Sequence, residues 1–294
     1  MNNSFILLSS LLVLLSTFLM AVKVVSGLKL KLTMHQKITS WWFIIVCILL
    51  AGQFEFGLSG LITAIIAACL YELAKITNQP KTHRLPVIVA LVFIMQLALY
   101  MSLWFLATLS FSLTCYLLYA IPGEDQQKKD RAIFIPASLL CILGLSIASL
   151  ILVLTSATPQ EGTIGNLLFL VFISQGNDVA QYCWGKSIGG RKIAPTISPN
   201  KTWAGFLGGL ATFTLVGYYL GGQLTNMAPI QSAIAASIIC TLGFLGDLLV
   251  SYLKRHYKIK DTGRLIPGHG GMGDRVDSLL LSTGGFFSYL MLIS

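Results

Sequence analysis

The sequence predicts an all-α protein, a polytopic bundle of about nine to ten transmembrane helices with both termini outside the cytoplasm. Composition is the first observation behind this prediction: 55% of the 294 residues are hydrophobic and only 11% are charged, against about 25% charged residues in an ordinary soluble chain. Apolar runs of the length that crosses a bilayer, about 20 residues, recur along the chain. The third observation is where the basic residues fall between those runs.

Ten apolar runs are assigned as spans. They cover residues 5–21, 41–52, 57–74, 86–101, 104–121, 132–154, 165–183, 203–220, 230–250 and 278–293. The second run is short and is interpreted either as a full span or as one arm of a re-entrant hairpin with the third. The first is interpreted as a retained anchor, because no basic flank precedes it and no small-residue cleavage site follows it.

The basic residues fix the predicted orientation, because short cytoplasmic loops carry an excess of Lys and Arg. The 20 Lys and Arg residues follow the odd-numbered spans, at residues 23–37, 75–84, 128–131, 186–201 and 254–275. The sequence therefore predicts a membrane protein, in the bacterial inner (plasma) membrane, with these loops in the cytoplasm. The net charge of +9 needs no nucleic-acid partner, since the bases do not form one soluble face.

Polar residues that suggest chemistry concentrate in the second half of the chain. We therefore divide it into an N-terminal transmembrane scaffold, residues 1–160, and a C-terminal catalytic region, residues 161–294, with cytoplasmic loops 184–203 and 251–277. A homodimer through the apolar faces of the scaffold is compatible with this division.

The first polar cluster, residues 174–178, lies inside the seventh span. Asp178 is placed roughly 8 Å below the cytoplasmic end of that helix. A carboxylate at the centre of a bilayer costs about 2.5 to 3.5 kcal/mol on insertion scales, so it should be paired, protonated or bound to a metal. The alternative is a polar patch that only packs helices together.

The second cluster is the loop 185–203, where glycines and lysines can cradle a phosphate group. Ser198 or Asn200 is expected to cap the helix that follows. Gly185, Lys186 and Ser187 do not form a P-loop, because residue 180 is Ala and no strand precedes them. The alternative for each base is the ordinary positive charge of a cytoplasmic loop.

The third cluster follows Asp247. On a helix, Asp247, Ser251 and Lys254 share one face, and Asp274 and Asp277 open the tenth span at a helix N-terminus that favours negative charge. Capping of the helix N-terminus alone is the alternative interpretation of Asp274 and Asp277.

Together with Asp178, these carboxylates lie at similar depth beside two basic loops. Oxygen ligands of this kind suit Mg²⁺, with a second cation left open, and no His/Cys set suits zinc. His269 is weighed as a catalytic group against a turn residue that bonds locally. Ser251 has no histidine placed to activate it as a nucleophile.

Residues 251–277, SYLKRHYKIKDTGRLIPGHGGMGDRVD, resemble the signature of the phosphatidate cytidylyltransferase (CDP-diacylglycerol synthase) family. The resemblance includes NDVAQYCWGK at 177–186, SPNKTW at 198–203 and GDLLVS at 246–251, and covers roughly residues 165–294. It implies transfer of CMP from CTP to phosphatidate or a related lipid phosphate, with Mg²⁺. Ala204 departs from the family, which often has Glu there.

The resemblance also implies roles for individual residues. Asp247 and Asp274 are expected to be the principal metal ligands and Asp277 their support. The residues expected to contact the nucleotide or its phosphates are Asp178, Ser198, Lys201, Lys254 and Arg255. Further substrate-binding candidates are Lys186, Ser251, Lys260, Asp261, His269 and Arg275.

Two other function classes were weighed. A CTP-dependent kinase of a polyisoprenol or similar lipid alcohol would need a base for a hydroxyl group and would release CDP rather than pyrophosphate. A transporter or scaffold predicts acids spread along a pathway through the membrane, whereas here the acids lie on one side.

Overall fold

The computed structural model describes residues 57–76, 163–263 and 270–293, and these ranges are mostly helical. The helices are α1 (Gly57–Ile76), α2 (Thr163–Ser187), α3 (Trp203–Leu224), α4 (Pro229–His256), α5 (Gly273–Val276) and α6 (Leu279–Ile293). Two strands lie between α2 and α3, namely β1 (Lys192–Ala194) and β2 (Ser198–Thr202). Helices therefore occupy the third, seventh, eighth, ninth and tenth predicted spans, and the other five predicted spans lie outside the described residues.

Within the described ranges, three helical segments are long and apolar enough to cross a membrane. They are α3, α4 and the continuous stretch Gly273–Ile293, which contains α5 and α6. These segments are consistent with an integral membrane protein. The total number of spans and the orientation of the termini stay predictions.

Helices α2, α3, α4 and α6 pack around one apolar core. Phe169 of α2 and Phe286 of α6 are fully buried at its centre, with ring centroids 5.9 Å apart. Ile239 of α4 is also fully buried there. The core thus holds the ends of α2, α4 and α6 in fixed positions relative to one another.

Small residues let α3 approach both neighbours closely. A Cβ atom at Gly209 would lie 2.6 Å from Cγ of Gln181 on α2, and one at Gly217 would overlap Ala236 on α4. Glycine at such contacts lets helix backbones come together inside membranes. Helix α3 is therefore wedged between α2 and α4, and the loop that enters it is carried close to α4.

The loop between α2 and α3 folds into an antiparallel hairpin that the all-α prediction did not include. Its register pairs Lys192 with Thr202 and Ala194 with Ser198. The chain leaves α2 through Gly189 and Gly190, which have φ angles of 69° and 94° that other residues rarely adopt. The polar loop therefore forms a β-hairpin that leads directly into α3.

The predicted cap of α3 is wrong. Ser198 and Asn200 lie in strand β2, so they are too far from the first turn of the helix to cap it. Thr202 directly precedes the helix, and its hydroxyl accepts a hydrogen bond from the Gly205 N–H at 3.1 Å. The helix therefore begins where the strand ends, with no linker between them.

Candidate active site

Lys201, near the end of strand β2, reaches the polar face of α4. Its Nζ lies 2.7 Å from Oδ2 of Asp247 and 4.3 Å from the centroid of the Phe244 ring. The other carboxylate oxygen of Asp247 accepts a hydrogen bond from Ser251 Oγ at 3.2 Å. The spacing of Asp247 and Ser251 predicted this shared face.

A second lysine–carboxylate pair lies about two helical turns further along α4. Lys254 Nζ donates to Oδ1 of Asp274 at 2.8 Å, and the two side chains are only 11% and 7% exposed. Oδ2 of Asp274 accepts from the backbone N–H of Thr262 at 2.8 Å, from that of Gly271 at 2.9 Å, and lies 3.1 Å from the Thr262 hydroxyl. Asp274 thus ties the loop after α4 to the helix itself.

The carboxylates of Asp178, Asp247 and Asp277 form an acidic centre close to these pairs. Asp247 interacts electrostatically with Asp178 and Asp277, which also interact with each other. The positive charge of Lys201 acts on Asp178, and that of Lys254 acts on Asp277. Neighbouring carboxylates of like charge favour the binding of a cation. The structure therefore brings all four predicted carboxylates into one region, between α2, α4 and the start of α6.

Part of the polar run in α2 packs helices together, as its alternative interpretation held. Ser174 Oγ donates to Ser278 Oγ at 3.1 Å, and Gln175 Nε2 donates to the same atom at 3.2 Å. Ser174 and Ser278 are each 1% exposed. These bonds fix α2 against the start of α6 and so set the position of Asp178 relative to Asp277.

The donor chemistry of this region fits Mg²⁺. Within the described ranges, no three His, Cys, Asp or Glu side chains converge tightly enough to enclose a metal. Mg²⁺ does not require this, because it usually takes one or two protein carboxylates and keeps water and substrate phosphates as its other ligands. Asp247 and Asp277 offer such carboxylates beside the basic side chains of Lys201 and Lys254.

Comparison with known proteins decides the family. The profile of the Cytidylyltransferase family matches residues 34–293. The chain belongs to this family. The resemblance that the signature at residues 251–277 suggested is thereby confirmed.

Individual relatives of this cytidylyltransferase-family protein match over about half of their length. The uncharacterized protein YnbB of Escherichia coli (strain K12) is 40% identical over 152 residues, which are 52% of this chain and 51% of that protein. The phosphatidate cytidylyltransferase of Brucella suis biovar 1 is 38% identical over 49% of this chain and 53% of that protein. The phosphatidate cytidylyltransferase of Staphylococcus saprophyticus is 35% identical over 52% and 58%, respectively.

Two of the predicted substrate-binding residues, Lys186 and Arg255, make contacts outside the acidic centre. Lys186 is exposed and lies over the ring of Tyr182, 5.8 Å from its centroid. Arg255 is exposed and donates to the carbonyl oxygens of Ile197 and Ile259, at 3.2 Å and 3.0 Å. Arg255 thus connects the hairpin to the end of α4 by a hydrogen bond.

The remaining predicted residues are distributed as follows. Ser198 pairs with Ala194 in the hairpin. Lys260 and Asp261 are exposed in the loop after α4, and the charge of Arg275 acts on Asp178. His269 lies outside the described residues, and the roles of all these side chains stay predictions.

Glu72 and Thr262 are not among the site residues predicted from the sequence. Glu72 lies in α1, within the N-terminal region that was assigned only as scaffold, and it is 3% exposed. Its carboxylate accepts hydrogen bonds from Thr262, Met272 and Gly273. The signal was available, because an acidic residue inside an apolar run is functional by default, the same rule that selected Asp178.

Proposed function

We propose that this protein transfers CMP from CTP to phosphatidate and produces CDP-diacylglycerol and pyrophosphate. The observation that carries the proposal is the convergence, in a cytidylyltransferase-family chain, of two lysine–carboxylate pairs on one face of α4. Lys201 and Lys254 bring positive charge from the hairpin and from the helix. A nucleoside triphosphate and a lipid phosphate are both polyanions, and this arrangement suits them.

The reaction needs positioning and charge neutralisation more than acid–base chemistry. An oxygen of the lipid phosphate attacks the α-phosphorus of CTP, and the bond from that phosphorus to the β-phosphate oxygen breaks. That oxygen keeps the electron pair and leaves as part of pyrophosphate. The nucleophile is already an anion, so the site needs no strong base, and Lys201 and Lys254 are placed to stabilise the charge that develops on phosphate oxygens.

One or two of the predicted ligands Asp247, Asp274 and Asp277 would hold Mg²⁺, which when bound supplies neutralisation of the triphosphate charge. Lys201 and Lys254 pair with two of these carboxylates. We propose that the lysines turn from the carboxylates to the phosphates when the nucleotide binds. Asp178 lies close enough to interact with the other carboxylates electrostatically, which is compatible with a second cation.

We further propose that the site faces the cytoplasm, where CTP is available, and that the chain lies in the bacterial inner membrane with both termini outside. The distribution of Lys and Arg supports this orientation. A tag that carries a protease cleavage site, fused to either terminus, should be cleaved by protease added outside intact spheroplasts. Protection of both tags would reverse the orientation.

The direct test uses purified full-length protein, CTP labelled in the cytosine ring, Mg²⁺ and detergent micelles that contain one acceptor lipid. Phosphatidate should give a labelled CDP-lipid and an equal amount of pyrophosphate, and the Asp247→Asn variant supplies the background. A polyisoprenol or diacylglycerol acceptor tests the other reaction class. Release of CDP with phosphorylation of an alcohol, and no CDP-lipid from phosphatidate, would replace this proposal with a lipid kinase.

A further inference from the structure

Glu72 is a buried carboxylate from the first half of the chain whose three hydrogen-bond donors all belong to the loop and helix start after α4. Oε1 accepts the Met272 N–H at 2.9 Å, and Oε2 accepts the Gly273 N–H at 3.0 Å and the Thr262 hydroxyl at 2.8 Å. The first of these partners lies 200 positions away in the sequence. Three donors converge on the two oxygens of one buried carboxyl group, so this contact can fix the loop.

Thr262 connects Glu72 to the candidate active site. Its hydroxyl lies 2.8 Å from Oε2 of Glu72 and 3.1 Å from Oδ2 of Asp274. A hydroxyl has a single proton to donate, and the shorter distance favours Glu72. Asp274 then depends on the backbone N–H groups of Thr262 and Gly271 and on Lys254. Glu72 therefore orients Thr262, whose backbone N–H donates to Asp274.

The loop backbone lies directly against the Glu72 carboxylate. A Cβ atom added at Gly263 or at Gly271 would overlap the carboxylate oxygens of Glu72, and at Gly271 it would also overlap the Thr262 hydroxyl. Glycine is thus required at both positions for the carboxylate to reach its donors. The glycines of the signature segment fit around Glu72, in addition to forming a turn.

We propose that Glu72 is a positioning residue of the active site, which holds Thr262 and the first turn of α5 so that Asp274 faces Lys254. Its catalytic consequence rests on the proposed function. Its structural consequence does not, because the contacts exist whatever lipid accepts the nucleotide. Residues of this kind, which act through a ligand or catalytic group, typically change activity or metal affinity by about 10- to 100-fold when altered.

Glu72→Gln is the first test. The amide nitrogen that replaces one oxygen presents N–H groups to a backbone N–H or to Thr262, so at least one acceptor is lost. We expect kcat to fall roughly 10- to 100-fold and the Mg²⁺ concentration for half-maximal activity to rise, with less change in KM for the lipid. Hydrogen exchange at residues 270–273 should become faster, while exchange in α3 and the middle of α4 stays unchanged.

The hydroxyl of Thr262 provides a conservative pair of variants. Thr262→Ser keeps the hydroxyl and should retain kcat and the Mg²⁺ dependence of the parent protein. Thr262→Val keeps the shape, loses the hydroxyl and should follow Glu72→Gln. Lys75→Gln is the matched control, because Lys75 is exposed on the same helix.

The outcomes separate this inference from the proposed function. A parent protein that transfers no CMP to any lipid phosphate overturns the proposed function, and exchange at residues 270–273 then decides the role of Glu72. An active parent with a Glu72→Gln variant of equal kcat and Mg²⁺ dependence overturns the positioning role. Loss of activity with faster exchange throughout α3 and α4 also overturns it, because Glu72 would then support folding in general.

Discussion

Lys201 Nζ lies 2.7 Å from Asp247 Oδ2, and this ion pair joins the hairpin to the middle of the candidate active site. The two residues are brought together because α3 starts directly after the hairpin and packs closely on α4. Their side chains are 15% and 26% exposed, so both remain accessible to a charged substrate. Asp247 is therefore the most direct residue at which to test the chemistry.

Asp247→Asn should abolish CMP transfer, with a loss of at least about 100-fold in kcat, because it removes charge from the group expected to bind metal and to orient Lys201. Turnover of labelled CTP and size-exclusion behaviour in detergent measure activity and folding separately. Asp130→Asn, in the loop after the fifth predicted span, is the matched control. Near wild-type turnover of Asp247→Asn would refute the metal-site assignment.

Lys254→Met should impair both stability and activity. The substitution keeps an aliphatic chain but leaves the Asp274 carboxylate without its ion pair, and breaking such a buried pair costs about 3 to 5 kcal/mol. Thermal unfolding in detergent should show a lower midpoint than for Lys192→Met, which removes an exposed lysine from β1. Equal midpoints for the two variants would mean that the Lys254–Asp274 pair contributes little.

Thr202→Ala should destabilise the protein by about 1 kcal/mol, the usual effect of removing a helix N-cap. Thr202→Ser keeps the oxygen that accepts the Gly205 N–H and should unfold close to the parent midpoint. Thr196→Ala, at an exposed position of the hairpin turn, controls for loss of a threonine as such. If Thr202→Ala and Thr196→Ala unfold alike, the cap does not stabilise α3.

Gly271→Ala should reduce activity strongly, because the added methyl group would overlap Glu72 and Thr262. The loop would then have to move away from the Glu72 carboxylate. Gly60→Ala is the matched control, since a Cβ at Gly60 of α1 meets nothing within 4 Å. Glycine to alanine in an open helical position favours the helix by up to about 1 kcal/mol. A Gly271→Ala variant as active as Gly60→Ala would show that the loop can move away from Glu72 without consequence.

Sequence reasoning predicted the family and the helices because both depend on local signals. Long apolar runs predict membrane helices wherever they occur, and five of the predicted runs are helical in the described ranges. The shared face of Asp247 and Ser251 follows from helical spacing alone. The signature at residues 251–277 carried the resemblance that the family match confirmed.

The remaining features depend on contacts that local patterns do not contain. Strand β2 has the polar sequence Ser-Pro-Asn-Lys-Thr, which lacks the alternation typical of strands, so the hairpin was not predicted and the cap was placed too early. The Lys254–Asp274 pair joins residues on opposite sides of a loop. The contacts of Glu72 join residues that are 190 to 201 positions apart in the sequence, and only packing of α1 against the loop reveals them.

The position of Glu72 early in the chain has a consequence for biosynthesis. The ribosome produces Glu72 190 residues before Thr262, so every hydrogen-bond donor that the structure shows for this carboxylate is still unmade when α1 is synthesised. A buried polar group without hydrogen-bond partners is costly, so α1 is not expected to reach its final buried position before the last helices are made. Assembly of the active site would then be the final step of folding, and a C-terminal half expressed alone would lack the residue that completes it.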